Sequence, residues 1–325
     1  MKPLRRKFLR LAAGAAALPV VSRIARAQTY PTRPVHIVVG YAPGGVTDIT
    51  ARLIGPWLSD RLGHQFVVEN RPGASGNLAA ESVVRASPDG YTLLLVASNN
   101  AYNATLYDKL KFNFIRDIAP VASICRDCFI MVVNPSSPAK TVPEFIAYAK
   151  ANRGKMNMGA SGPGSGSQLY GELFKAMAGI DLAAVNYRGV GAALPDLMAG
   201  RLEVMFVPVA TAIGYVKSGT LRALGVTAAT RVEVLPDVPP IGESVPGYEA
   251  SGWVGIGAPA GTPAEIVTVL NKEVGAALAD PTFKTRLADL GLEPFSSSPG
   301  EFGAYIAAYT EKWAKVIRAA GIKAD

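Results

Sequence analysis

The amino-acid sequence predicts an α/β protein built as two similar halves, each a sheet flanked by helices, and three features lead there. Short runs of aliphatic and β-branched residues, such as Val35, Ile37, Val38 and Val39, have the density of buried strands in sheets covered on both faces. Stretches with helical periodicity alternate with these runs, the pattern of parallel strands joined by crossover helices. Glycine- or serine-rich junctions between strand and helix recur at residues 41–48, 71–76 and 161–168. The chain shows no tandem repeat at solenoid periods.

The first unit sets the pattern. Its strand ends at Gly40 and a Pro43-Gly44-Gly45 turn, after which Thr47 or Asp48 can cap a helix running to about Leu62. A strand, a glycine turn and a helix start put free backbone N–H groups at the carboxyl end of a sheet. Open α/β sheets bind ligands there, and the helix dipole favours an anion. Gly44 and Gly45 leave the backbone uncovered, although a plain βα turn has the same composition. A second strand follows at 65–69, a second glycine turn at 70–76 and a second helix from Leu78. In Ser87-Pro88-Asp89-Gly90 the proline presets φ and the glycine takes the positive-φ position of a turn. The strand at 91–97 ends at Ser98, Asn99 and Asn100, which read as turn formers or as polar ligand contacts.

Residues 121–134 are strand-like throughout, and Thr141-Val142-Pro143-Glu144 is a capping box that opens a helix. A strand at 156–160, the glycine turn at 161–167 and a helix from Gln168 repeat the first unit. Strands at 182–187, 203–207 and 221–226 follow, with a helix to Ala199 between the first two. The Pro- and Gly-rich segment 232–252 reads as a connection and 252–257 as a strand. Thr262-Pro263-Ala264-Glu265 and Asp280-Pro281 open two helices, and an amphipathic helix from Pro299 closes the chain.

The first 27 residues read as an export signal rather than part of the fold. Arg5-Arg6-Lys7-Phe8-Leu9-Arg10 precedes an apolar run, and Ala25-Arg26-Ala27 is a small-x-small site, so cleavage is expected after Ala27 and the mature chain is expected in the periplasm. The arginine pair resembles the twin-arginine type; an ordinary secretory peptide carrying two arginines is the other reading. This segment holds seven basic residues and no acids, so removing it lowers the formal charge from +8 to +1. The basic balance therefore gives no support for a nucleic-acid partner. At 49% hydrophobic and 18% charged, the full chain has ordinary globular composition, and the part after the signal is long enough for two domains. No apolar run after residue 30 is long enough to span a bilayer.

Signatures of catalysis and of cofactors are weak. Gly162-x-Gly164 fits a dinucleotide fingerprint, but Ser167 stands at the third glycine position and Asn186-Tyr187 where an acid belongs. Neither a Gly-x-Ser-x-Gly elbow nor a Walker sequence occurs. Two histidines, His36 and His64, leave few candidates for a triad and too few ligands for zinc. No cofactor, no metal and no catalytic residue is therefore expected. Cys125 and Cys128 have redox-motif spacing without a thioredoxin-like context; they can form a short local disulfide in an oxidising compartment, or be two small residues at a strand bend.

The stretches YPTRPV (30–35), GYAPGGVTD (40–48), ENRPGASGN (69–77), PDGYTLL (88–94), NYRG (186–189), LRALGV (221–226) and APAGTP (258–263) together resemble the Bug/TctC-type extracytoplasmic solute receptors, the substrate-binding components of tripartite tricarboxylate transport systems. The resemblance covers essentially the whole mature chain, and its motifs are specific only in combination. It implies a type II-like, two-lobed periplasmic binding protein with the ligand cleft between lobes, lobe one being residues 28–124 with 251–325 and lobe two 125–250. It implies a small organic carboxylate as ligand: an amino acid, an aromatic acid, or a di- or tricarboxylate. The partners implied are the membrane permease subunits, met transiently by a monomer. Backbone N–H groups of the turns at 41–48 and 161–168 would hold the carboxylate. The candidate contacts are Tyr41, Ala42, Gly44, Gly45, Thr47 and Asp48 in the first half, with Ser98 and Asn99, and Ser161, Gly164, Ser165 and Gln168 in the second, with Tyr187 and Arg188. The chain departs from the family pattern at Gln168, where many members have a histidine, and at Val207-Pro208-Val209-Ala210, where an acid often follows the strand. A ligand sensor for a signalling partner and a hydrolase on the same frame are the alternatives.

Overall fold

Strand and helix alternate through ten strands and eleven helices among residues 30–107 and 109–324, the part of the chain that the computed structural model describes. The export-signal segment lies outside those residues. Strand β1 (Val35–Val39) runs parallel to β2 (Phe66–Asn70) on one side and to β3 (Thr92–Ala97) on the other. Its Val35, Ile37, Val38 and Val39 are fully buried, as a strand covered on both faces requires. Helix α1 (Val46–Leu62) covers one face with Ala51, Ile54 and Leu58. It comes close because of Gly55, where a Cβ would stand 3.3 Å from the carbonyl of Phe66. Helix α2 (Asn77–Val84) packs Ala79, Ala80 and Val83 into the core on the other side.

The second half repeats the arrangement. Strand β5 (Asn157–Ala160) lies parallel to β6 (Ala183–Asn186) and to β7 (Val204–Pro208), with helix α6 (Gly166–Ala178) following β5. Two antiparallel strands join the halves. Strand β9 (Ser251–Pro259) pairs with β3 and with the first part of β4 (Ile118–Val133), and the last part of β4 pairs with β7 and β8 (Arg222–Val226). The order along the sheet is β2-β1-β3-β9-β4-β7-β5-β6, with β8 and β10 (Leu292–Pro294) added on β4. The molecule is thus a two-lobed α/β fold with mixed sheets. The parallel units are those the alternation predicted. The antiparallel crossing is what it did not show, because a 16-residue strand with apolar residues on both faces carries no sign of changing partners along its length.

The C-terminal helix α11 (Pro299–Ala320) spans both halves. It opens with a capping box, Ser298 and Glu301, and packs on β4, α6 and α3 (Ser98–Leu106). Its Tyr309 and Trp313 join Trp253 of β9 and Tyr102 of α3 in one aromatic cluster with ring centroids 5.9–6.4 Å apart.

Three local expectations need correction, and the helix at 209–217 has no counterpart among them. Ser98, Asn99 and Asn100 form the first turn of α3 rather than a loop, with the Asn100 side chain accepting a hydrogen bond from the Ala97 N–H. Residues 209–217 form a helix that starts directly after β7. In α1 the N-cap is Gly45, not Thr47 or Asp48. Cys125 and Cys128 are both free. Three residues apart on a strand, they face opposite sides and join different core clusters, and such a spacing spans about 10 Å, beyond the reach of a disulfide. Burial pushes both thiols up to about 12, so neither carries an appreciable thiolate at neutral pH.

Candidate functional site

The two halves enclose a cleft of about 510 Å³, a volume suited to a small organic molecule. Its two sides are built by the same device. In the first half β1 ends in residues 40–45 and α1 begins at Val46; in the second, β5 ends in residues 161–165 and α6 begins at Gly166. Pro43-Gly44 and Pro163-Gly164 occupy matching places. Both glycines have positive φ, +91° and +68°, which only glycine adopts without strain. Each glycine N–H donates to a side chain four residues on: Gly44 to Asp48 Oδ2 at 2.9 Å, Gly164 to Gln168 Oε1 at 2.7 Å.

These two amides are therefore already engaged. The donors left over are those of the helix starts, where the first N–H groups have no intrahelical acceptor. Helix α1 has no side-chain cap, so the N–H groups of Val46 and Thr47 face the cleft unclaimed. In α6 the Ser165 hydroxyl accepts from the Gln168 N–H at 3.4 Å, which leaves Gly166 and Ser167. Helix α3 starts at Ser98 beside its cap Ala97, and α8 (Val209–Lys217) starts behind its cap Pro208; both caps lie on the lining. The starts of α1, α3 and α6 and the cap of α8 thus line one cavity, two from each half. Each carries about half a positive charge. Among the described residues that line it there is no Lys, Arg or His, and Asp127 is the one carboxylate.

Of the predicted contacts, Tyr41, Gly45, Thr47, Ser98, Asn99, Ser161, Gly164 and Ser165 line the cleft. Ala42 and Gly44 stand exposed outside it. Asp48 is buried beneath its turn, bonded to Gly44, to Arg52 at 3.0–3.1 Å and to Asn70 at 2.8 Å. Gln168 sits behind the turn of residues 161–165 in the equivalent role. Tyr187 and Arg188 are not on the lining, with the Tyr187 hydroxyl donating to Asp196 and Arg188 exposed. They follow β6, whose end pairs with that of β5, so the Tyr187 backbone lies beside the cleft turn at Gly162.

Reading the sequence missed the floor and the aromatic walls. Asp127 and Phe129 come from the crossing strand β4, Trp253 from β9, Tyr102 and Tyr107 from α3 and its end, Tyr170 from α6, and Ser75 from the second glycine turn. Tyr41 donates its hydroxyl to the carbonyl of Ser75, and Asn99 and Asn103 donate to the same oxygen, so that turn is tied to the rim. The buried indole N–H of Trp253 has no acceptor. His36 pairs with Glu69 on β1 and β2, outside the cleft, and among the described residues no cluster of His, Cys, Asp or Glu could hold a metal ion.

Asp48 supports a prediction. Burial pushes its carboxyl up, but the hydrogen bonds from Arg52, Gly44 and Asn70 outweigh this and hold it below its ordinary value of 3.8. A lowered folded-state value stabilises the fold above the unfolded value and is lost as pH falls through the folded one. Asp48→Ala is expected to cost about 1–3 kcal/mol in urea unfolding at neutral pH, and the difference from wild type should shrink in acid below that range. An unchanged unfolding midpoint at neutral pH would mean that the turn does not depend on this carboxylate.

The model of the family described as "Tripartite tricarboxylate transporter family receptor" matches residues 50–322. BugT of Bordetella pertussis is 32% identical over 300 residues, 91% of this chain and 92% of its own. A protein encoded in the ttuE–ttuC′ intergenic region of Agrobacterium vitis is 36% identical over 320 residues, 97% and 92%. An R. palustris protein solved with adipate superposes with a TM-score of 0.81 at 38% identity, covering 90% of this chain and 99% of that one. MatC of Rhodopseudomonas palustris with bound malate gives 0.76 at 32%, covering 89% and 100%.

Proposed function

The chain belongs to the tripartite tricarboxylate transporter receptor family, and from that premise we propose that it captures a small organic carboxylate in the periplasm and delivers it to the permease subunits of a tripartite uptake system. The observation that carries this reading is the cleft itself. The starts of three helices and the cap of a fourth, from both halves, line a cavity that among the described residues has no basic side chain, an arrangement that holds an anion through backbone N–H groups rather than an ion pair. Adipate and malate in the two R. palustris structures are acids of the size that fits.

In this reading residues 28–124 with 251–325 form one lobe and 125–250 the other. The crossing strands β4 and β9 supply the hinge on which the lobes close around the ligand. The contacts are made by Gly45, Thr47, Ser98, Asn99, Ser161, Ser165 and the helix starts behind them. The export signal, cut after Ala27, delivers the chain to its compartment. Among the described residues no helix is long and apolar enough to cross a membrane, in keeping with a receptor that meets its permease transiently. The function is binding without turnover.

Titration calorimetry of the purified chain against mono-, di- and tricarboxylic acids tests the proposal, guided by mass spectrometry of any ligand that copurifies. At least one acid should bind with micromolar affinity, about −8 kcal/mol. Hydrolysis of an ester or amide panel, abolished by changes in the cleft, would overturn it.

A further inference from the structure

Among the described residues Asp127 is the one formal charge on the lining, and it is the wrong sign for a site that holds a carboxylate. It stands on β4 at the floor, where the strand crosses between the halves. Among the described residues its carboxyl makes no hydrogen bond to another side chain and is paired with no cation. The neighbouring Arg126 lies on the other face of the strand, with its guanidinium over Phe295 at 4.1 Å and near Tyr305 at 5.7 Å. Burial pushes the Asp127 carboxyl up to about 6, opposed by its own backbone N–H.

The surroundings are shaped for this carboxylate. Opposite Asp127 in the antiparallel register is Gly252, where a Cβ would stand 2.0 Å from Oδ1 and 2.9 Å from Oδ2. Only a glycine leaves that place free. The rings of Phe129, Tyr170, Tyr102 and Trp253 share the lining with it, Phe129 and Tyr170 meeting edge to face at 4.7 Å. A carboxylate held half out of water beside aromatic rings without a counter-charge is costly to keep. Aromatic faces and a carboxylate are together the chemistry that receives a cationic nitrogen.

We propose that Asp127 is a specificity residue that takes the ammonium group of the ligand, so that the chain selects acids carrying a protonated amine next to the carboxylate that the helix N-termini hold. The inference rests on the carboxylate-receptor reading and narrows it from organic acids in general to amino acids and related zwitterions. A zwitterion satisfies both ends of the cleft; a dicarboxylate would set a second negative charge against Asp127.

The test uses matched acids that differ only in amine or hydroxyl: alanine and lactate, aspartate and malate, glutamate and 2-hydroxyglutarate. Each is titrated calorimetrically into the wild-type chain, Asp127→Asn and Gly252→Ala, with thermal melting to confirm that the variants fold. In at least one pair the amino member should bind the wild type at least about tenfold more tightly. Asp127→Asn should remove that preference by weakening the amino member while leaving the hydroxy member unchanged or improved. Gly252→Ala, which displaces the carboxylate, should do the same. Hydroxy acids binding as well as their amino partners, or Asp127→Asn weakening both alike, would overturn the inference and leave the receptor reading standing. Failure of every acid to bind any of the three chains would overturn both.

Discussion

Gly45→Val is expected to lower ligand affinity by about a hundredfold while leaving the unfolding midpoint unchanged, and Gly164→Val is expected to damage the fold itself. In the sequence the two glycines stand in turns of the same kind, and nothing in their composition separates them. Their backbones do. Gly45 caps α1 with φ −83° and ψ 168°, angles open to valine, and a Cβ there meets nothing nearer than the carbonyl of Ala42 at 4.0 Å. A branched side chain can be added without strain, but it stands over the N–H groups of Val46 and Thr47 on the lining. Losing one or two hydrogen bonds to a charged group, about 1.5–3 kcal/mol each, gives the expected factor.

Gly164 has φ +68°, and its Cβ would lie 2.4 Å from Cδ1 of Leu106, which is itself buried at 3% exposure. Left-handed backbone costs a valine roughly 1–2 kcal/mol and overpacking Leu106 a further 1–3 kcal/mol or so. Urea unfolding and calorimetry on both variants check the pair of outcomes. Retained affinity in Gly45→Val would show that the ligand is not held at the start of α1, and an unchanged midpoint in Gly164→Val would show that Leu106 can move away.

How far the sequence reaches is clear from particular residues. β1, its turn and α1 are legible because a fully buried strand, a glycine pair and an apolar helix face each have a local signature. The same signatures located the second turn and α6, and hence both sides of the cleft. The floor was not legible. Asp127 and Phe129 lie inside one apolar run, and whether an alternate residue of β4 meets the core or the cavity depends on where β9 and β7 take over as partners. Trp253 reaches the lining from a strand 126 positions beyond Asp127 in the chain, a placement no local pattern encodes. The two unpredicted helix starts failed differently. Ser98-Asn99-Asn100 and Pro208 are turn formers by composition, and only the tertiary setting makes them the first residues of α3 and α8. Tyr187 and Arg188 are off the lining although β6 ends beside β5 with Asn186 opposite Ala160; the Tyr187 hydroxyl turns to Asp196 and Arg188 to solvent.

Replacing the carboxylate of the bound acid by a carboxamide is expected to weaken binding by at least about a hundredfold, while Arg188→Gln changes the affinity of the acid by less than about tenfold. The difference follows from where the positive potential comes from. Arg188 is exposed and outside the cleft, so solvent screens it from the ligand. The first residues of α1, α3 and α6 and the cap of α8 lie on the lining and are fixed by the fold, so their backbone groups lose no rotamer freedom when the ligand arrives. A carboxamide keeps the shape but not the charge. Each of two to four hydrogen bonds falls from the charged to the neutral range, about 1 kcal/mol apiece, and the helix N-termini lose roughly 0.3–1 kcal/mol each. The amide NH₂ would also be set against donors with nothing to accept from it. These losses together amount to about 3–8 kcal/mol, which is about two to six decades in affinity. Calorimetric titration of the acid and its amide into the wild-type chain and Arg188→Gln reads both arms. An amide bound within tenfold of the acid, together with a large loss in Arg188→Gln, would place the ligand's charge on the arginine and leave the helix starts without the role the cleft gives them.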